Sequence, residues 1–136
     1  MGNGKQERID LYAHMVAGKP DRVAPLIETD EDGRLLCPHC DGQNLHHVMV
    51  VVHERVAEDG SGLEFVIAKG GETSSGFLAK DSVAFAGRRN DVKIGFRCEN
   101  CTADLTLQIK QHKGETFLDW YIVEDKRVGM MLGELP

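Results

Sequence analysis

The chain has 136 residues, 41% of them hydrophobic and 28% charged, which fits one globular domain with length to spare for a tail and is too apolar for wholesale disorder. Its formal charge of −6 argues against indiscriminate nucleic-acid binding, although the acid excess sits toward the ends and residues 33–123 are nearly balanced. No apolar run approaches the roughly 18 residues of a membrane span.

The opening MGNGKQERID is polar, with no apolar stretch behind it, so the cytoplasm is the expected compartment. Residues 5–17, KQERIDLYAHMVA, set Ile9, Tyr12, Ala13 and Val16 at helical spacing ahead of Gly18 and Pro20. That predicts a short amphipathic helix inside an N-terminal tail, residues 1–32. In LIETDEDGRLLC two apolar runs flank Asp-Glu-Asp-Gly, a hairpin turn with Gly33 in the left-handed region and a second strand leading into Cys37. LHHVMVVVHERV, residues 45–56, is dense in β-branched residues and predicts a long strand. AEDGSG reads as a turn and LEFVIA as the next strand.

Residues 69–82, KGGETSSGFLAKDS, read as loop, interrupted by a short strand around Phe77–Ala79. VKIGFRC is a strand that ends at Cys98, and ADLTLQIKQ and ETFLDWYIV alternate apolar and polar residues about the turn HKGE as a terminal hairpin. Residues 124–136 remain as a C-terminal tail. The expected fold is mainly β, with its domain at residues 33–123.

The four cysteines form two C-x-x-C pairs, Cys37 with Cys40 and Cys98 with Cys101. A dithiol oxidoreductase needs a helix after the first pair to lower its thiol pKa. Here Asp-Gly-Gln-Asn and a β-branched strand follow, and the second pair would have no role. Metal binding explains both pairs, because two short turns can each aim two thiolates at one ion and complete a tetrahedron. Each pair lies at a strand end, the layout of a zinc ribbon. The 57 residues between Cys40 and Cys98 far exceed the usual 15–20 or so of a compact ribbon. The expectation is therefore a ribbon with a long β insertion, about residues 45–92, and one Zn²⁺ per chain on Cys37, Cys40, Cys98 and Cys101. Four thiolates close the coordination sphere, so this zinc is structural rather than catalytic.

The histidines add no second centre. His39 sits inside the first turn, too tightly placed to reach the same ion. His46 and His47 are adjacent on a strand and point to opposite faces, while His47 and His53 share a face about 20 Å apart. A His-Asn-His nuclease would carry a histidine on a helix after the second pair, where TADLTLQIKQH reads as strand. No enzyme activity or small-molecule substrate is implied.

RRNDVKIGFR, residues 88–97, puts Lys93 and Arg97 on one strand face with Arg88 and Arg89 beyond. Basic side chains about 13 Å apart could follow a phosphate backbone, and a half-buried strand must equally have a polar face. Two partner classes therefore stay open: nucleic acid through Arg88, Arg89, Lys93 and Arg97, or protein through the acidic N-terminal segment and exposed strand edges.

LCPHCDGQNLHH and RCENCTADLTLQIKQHKGETF together resemble a group of small zinc-ribbon proteins of actinobacteria and their phages, over roughly residues 33–122. The resemblance implies a single zinc on the four cysteines and implies no reaction. The reading that results is a non-catalytic, zinc-stabilised binding module.

Overall fold

Period-two alternation of β-branched and polar residues is the pattern of half-buried strands, and it becomes a single antiparallel sheet. The computed structural model describes residues 11–16, 20–56, 61–79 and 90–124. The strands are β1 (Arg22–Ala24), β2 (Leu45–Arg55), β3 (Gly62–Ala68), β4 (Thr73–Leu78), β5 (Asp91–Cys98), β6 (Asp104–His112) and β7 (Glu115–Val123). Their order across the sheet is β1-β7-β6-β5-β2-β3-β4. A mainly β fold is what the alternation predicted.

The turns follow from local chemistry. Gly33 has φ 85° in a short hairpin bridged at Thr29 and Leu35, while Asp30 accepts from the amides of Asp32 and Arg34 at 2.9 Å. Lys113 and Gly114, with φ 51° and 81°, link β6 to β7 through the two positive-φ residues that match the twist of a tight hairpin. Two differences from expectation stand out. Residues 73–76, expected as loop, join the short strand expected around Phe77 to form β4, because Ser and Thr there pair along β3 as an edge strand. The stretch expected as a tail also contributes β1, which pairs with β7, while the short helix expected within it is present as a helical segment at residues 11–16. The rest of the expected helix and residues 125–136 lie outside the described residues.

Cross-strand pairing sorts the side chains onto two unlike faces. One face carries Met49, Val51, Ala68 and Gly95, and the helical segment lies on it through Leu11 and Met15, at 3% and 2% exposure. The inward residues are thus Leu11 and Met15, with Tyr12 and Val16 at their flanks, while Ala13 is exposed. Gly95 makes this approach feasible, since a Cβ there would lie 2.8 Å from the Met15 Sδ and 3.3 Å from the Leu11 Cδ2. Gly95→Ala is expected to lower stability by about 1–3 kcal/mol through overpacking, read as a lower urea midpoint at unchanged slope. An unchanged midpoint would place the segment elsewhere in solution.

The other face is apolar across the sheet. Ile67, Val50, Ile94, Leu107 and Trp120 oppose one another in one continuous cross-strand row, and Phe65, Val52, Val92, Ile109 and Leu118 in the next. At one end this face is covered. Ala24, Ile27, Leu35 and Cys37 pack there over Leu105, Trp120 and Ile122, and Phe96 meets Trp120 edge-on at 5.6 Å between ring centroids.

Candidate metal centre

Strand pairing brings together two cysteine turns that lie far apart in sequence. β2 leaves the first turn and β5 returns to the second, with Leu45 directly opposite Cys98. Two further strands, β3 and β4, occupy the interval between them. The long spacing is therefore a sheet extension built outward from a β2–β5 pair, and it leaves the two turns side by side.

Each turn is held by its own backbone. The Asp41 amide donates to the Cys37 carbonyl and the Cys37 amide to the Gly42 carbonyl, both at 2.9 Å. Asp41 takes up φ 64° to close the turn. The amide two residues beyond the first cysteine of each pair donates to its sulfur: His39 to Cys37 Sγ at 3.4 Å and Asn100 to Cys98 Sγ at 3.3 Å. Such N–H donors stabilise thiolate charge. Gly42 keeps the two turns close: a Cβ there would lie 2.4 Å from Asn100 Nδ2, so that exposed side chain would have to swing aside, and 3.2 Å from Cys40 Sγ.

The four sulfurs lie within 4.8 Å of one another. Cys37 and Cys101 are 3.8 Å apart and Cys40 and Cys98 are 3.5 Å apart. A tetrahedron with metal–sulfur bonds of about 2.3 Å has edges of about 3.8 Å, so the donor set fits one tetrahedral ion. Cys37 and Cys98 are buried, Cys101 is half-buried and Cys40 is at the surface. Burial pushes the Cys37 and Cys101 thiols above their ordinary value. For Cys98 burial works in the same direction, but hydrogen bonds from the Asn100 amide and neighbouring thiols outweigh it and pull the thiol down. Buried thiols resist ionising without a cation, so metal binding here must release protons.

The histidines stand apart from the sulfurs. His39 is 4.0 Å from Glu124, and His46 pairs with Glu99 at 2.8 Å on the surface. His47 and His53 do not share a face as expected. A register shift between His47 and Met49 inserts one residue into β2, and a bulge of this kind reverses the alternation beyond it. His53 is completely buried, with Nδ1 at 2.9 Å from Asp91 and Nε2 at 2.8 Å from Glu64. Tyr12 donates to the other Glu64 oxygen at 2.6 Å, and Lys93 pairs with the other oxygen of Asp91. The sequence reading missed this chain of charges. Its only trace was polar residues at alternate positions of apolar strands.

The basic stripe fares differently residue by residue. Lys93 is 6% exposed on the helix-covered face and is turned inward to Asp91, not toward solvent. Arg97 is partly buried opposite His46 and Asp104, and Arg88 and Arg89 lie outside the described residues. Beside Cys37 there is a cleft of about 240 Å³ lined by Ala24, Pro25, Leu26, Leu36, Pro38 and Trp120 among others. A drug-sized ligand generally needs about 300 Å³ or more. No helix of the described residues is long and apolar enough to cross a membrane. No family model matches the chain, and no curated protein or solved structure matches it.

Proposed function

We propose that the chain is a non-catalytic binding module in which one zinc ion on Cys37, Cys40, Cys98 and Cys101 fastens the end of a β sheet, and that its partner is protein rather than nucleic acid. The carrying observation is the sulfur cluster, with inter-sulfur distances near those of a tetrahedral site. Thiolates select zinc among common divalent ions in a redox-inactive structural role. Four of them leave no open position for water or substrate. The continuation of the chain from Cys40 through Asp41 into β2, with no helix at that point, supports a metal turn over a dithiol redox pair. The likeness to small zinc-ribbon proteins of actinobacteria and their phages belongs to the same reading, as does a cytoplasmic setting.

Two observations favour protein. Lys93, a central member of the basic stripe, is spent on an internal ion pair, and a large apolar surface is exposed instead. Phe65, Ile67, Phe77 and Leu118 are 44%, 51%, 68% and 46% exposed. Capture from cell lysate with and without nuclease tests the choice. The retained proteins are expected to be the same in both arms, with no nucleic acid held at low salt. Retention that disappears with nuclease, or low-salt binding weakened by Arg97→Gln, would reverse it.

A further inference from the structure

We infer that the cleft beside Cys37 binds an extended segment of a partner protein, one in which an apolar residue stands next to lysine or arginine. The inference deepens the protein-binding reading above and rests on it. Trp120 lines this cleft and is wholly buried, yet its indole N–H has no hydrogen-bond partner among the described residues. An indole nitrogen is a donor only, and a buried donor left unpaired is costly. The cleft gives an acceptor from outside access to the ring.

The walls around it are tied in place. Ala24 lies opposite Trp120 in the β1–β7 pair, and the Leu36 amide donates to the Glu28 carbonyl at 2.9 Å. The Arg22 guanidinium donates to the Pro38 carbonyl at 3.3 Å, which keys the first cysteine turn to β1. The cleft is thus built before a ligand arrives, and little ordering is left to oppose binding.

The lining sets the chemistry of the occupant. Pro25, Leu26, Leu36 and Pro38 are apolar walls, with Leu26 70% exposed. At about 30 Å³ per water, a cleft of about 240 Å³ holds roughly eight waters. One of them satisfies the indole N–H, but the others wet apolar walls. A main-chain carbonyl with an apolar side chain beside it supplies the acceptor and displaces that loosely held water.

Charge selects the neighbouring residue. Glu28 and Asp41 are exposed at the cleft, and neither carboxylate has a partner among the described residues. Cys37 lines it as well, and four thiolates on one divalent ion keep an excess of negative charge. No basic side chain of the described residues lines the cleft, so the cation must come from the partner.

Trp120 is the only tryptophan of the chain, so its indole N–H gives a single resonance in a nitrogen-15 correlation spectrum of the full-length, zinc-loaded protein. The probes are the capped peptides GSKLKSG, GSELESG and GSKSKSG. GSKLKSG is expected to move that resonance, and the other two to bind about 10-fold more weakly or worse. Glu28→Gln with Asp41→Asn is expected to weaken GSKLKSG by about 3- to 10-fold; asparagine tolerates the left-handed backbone at that position. Leu26→Lys, a change at an exposed site, is expected to abolish binding with zinc content and circular dichroism unchanged.

An indole resonance unmoved by all three peptides at millimolar concentration would overturn the inference. So would equal binding of GSKLKSG and GSELESG, or binding retained by Leu26→Lys. A shift given equally by butylammonium would assign the cleft to a small amine. An indole N–H protected from exchange in the free protein and exposed by Arg127→Glu would assign it to the chain's own C-terminal segment; either result overturns a partner peptide. Proteins retained equally from lysate by the wild type and Leu26→Lys leave the protein-binding reading standing and refute the cleft. GSKLKSG bound by a folded, metal-free chain keeps the cleft and refutes the structural zinc.

Discussion

Purified protein is expected to carry close to one zinc per chain by elemental analysis, and Cys98→Ser to lose both the metal and the fold. Cys98 is the residue through which a bound metal would be joined to the sheet. It ends β5 opposite Leu45, accepts the Asn100 amide, and packs in the same core as Leu105, Trp120 and Ile122. Structural zinc sites bind with an apparent free energy of about 10–16 kcal/mol, comparable with the entire stability of about 5–15 kcal/mol that a domain possesses. Serine is a poor zinc donor and leaves only three thiols for one ion, with Cys37 buried, Cys101 half-buried and Cys40 at the surface. The wild type treated with a strong chelator should show the same loss of β signal by circular dichroism, recovered on adding zinc. A folded, metal-free protein with a reversible Cys37–Cys40 disulfide would sink the structural-zinc reading.

Asp91→Ala is expected to be the most damaging single change outside the cysteines. Asp91 is 8% exposed and holds His53 through one oxygen and Lys93 through the other. Removing it strands the Lys93 ammonium on a covered face. Breaking a buried pair from one side costs about 3–5 kcal/mol, which for a domain of this size lowers the urea midpoint by roughly 1–3 M. Tyr12→Phe removes one hydrogen bond at the far end of the same chain and should cost only about 1 kcal/mol.

The pH dependence has a definite sign. Burial alone would raise the Asp91 pKa, but the His53 hydrogen bond and the Lys93 charge outweigh it and hold the carboxyl below its ordinary value. The unfolded chain, with an ordinary carboxyl near pKa 3.9 or so, therefore takes up the proton first as pH falls. The contribution is full above that range and is lost as pH drops through the lower, folded value. Wild-type stability should accordingly fall more steeply than that of Asp91→Ala in strong acid. Equal midpoints for the two proteins at neutral pH would show that the network carries no net stability.

How much of this was legible beforehand differs from element to element. The strand leading from Leu45, the β6–β7 hairpin about Lys113–Gly114 and the turn at Gly33 were readable, because period-two alternation and positive-φ residues act within a few residues of chain. The grouping of Cys37, Cys40, Cys98 and Cys101 was readable for a chemical reason: two paired thiol turns satisfy one tetrahedral ion whatever separates them. Of the strand at residues 73–78 only the end around Phe77 was legible, since Ser, Thr and Gly at 73–76 become strand only by pairing with β3.

Which face of the sheet is covered could not be read at all. In VMVVVH both sets of alternate residues are largely apolar, so the sequence is equally consistent with either face inward. Tertiary structure decides it through the extra residue between His47 and Met49, which turns His53 toward Glu64 and Asp91, and through Gly95, where the missing Cβ admits Leu11 and Met15. From those two local accidents follow the burial of Lys93, which the sequence alone presents as a surface cation, and the exposure of Phe65 and Leu118. A sequence specifies alternation locally, but the register that assigns each alternate set to water or to core is set by pairing between distant strands.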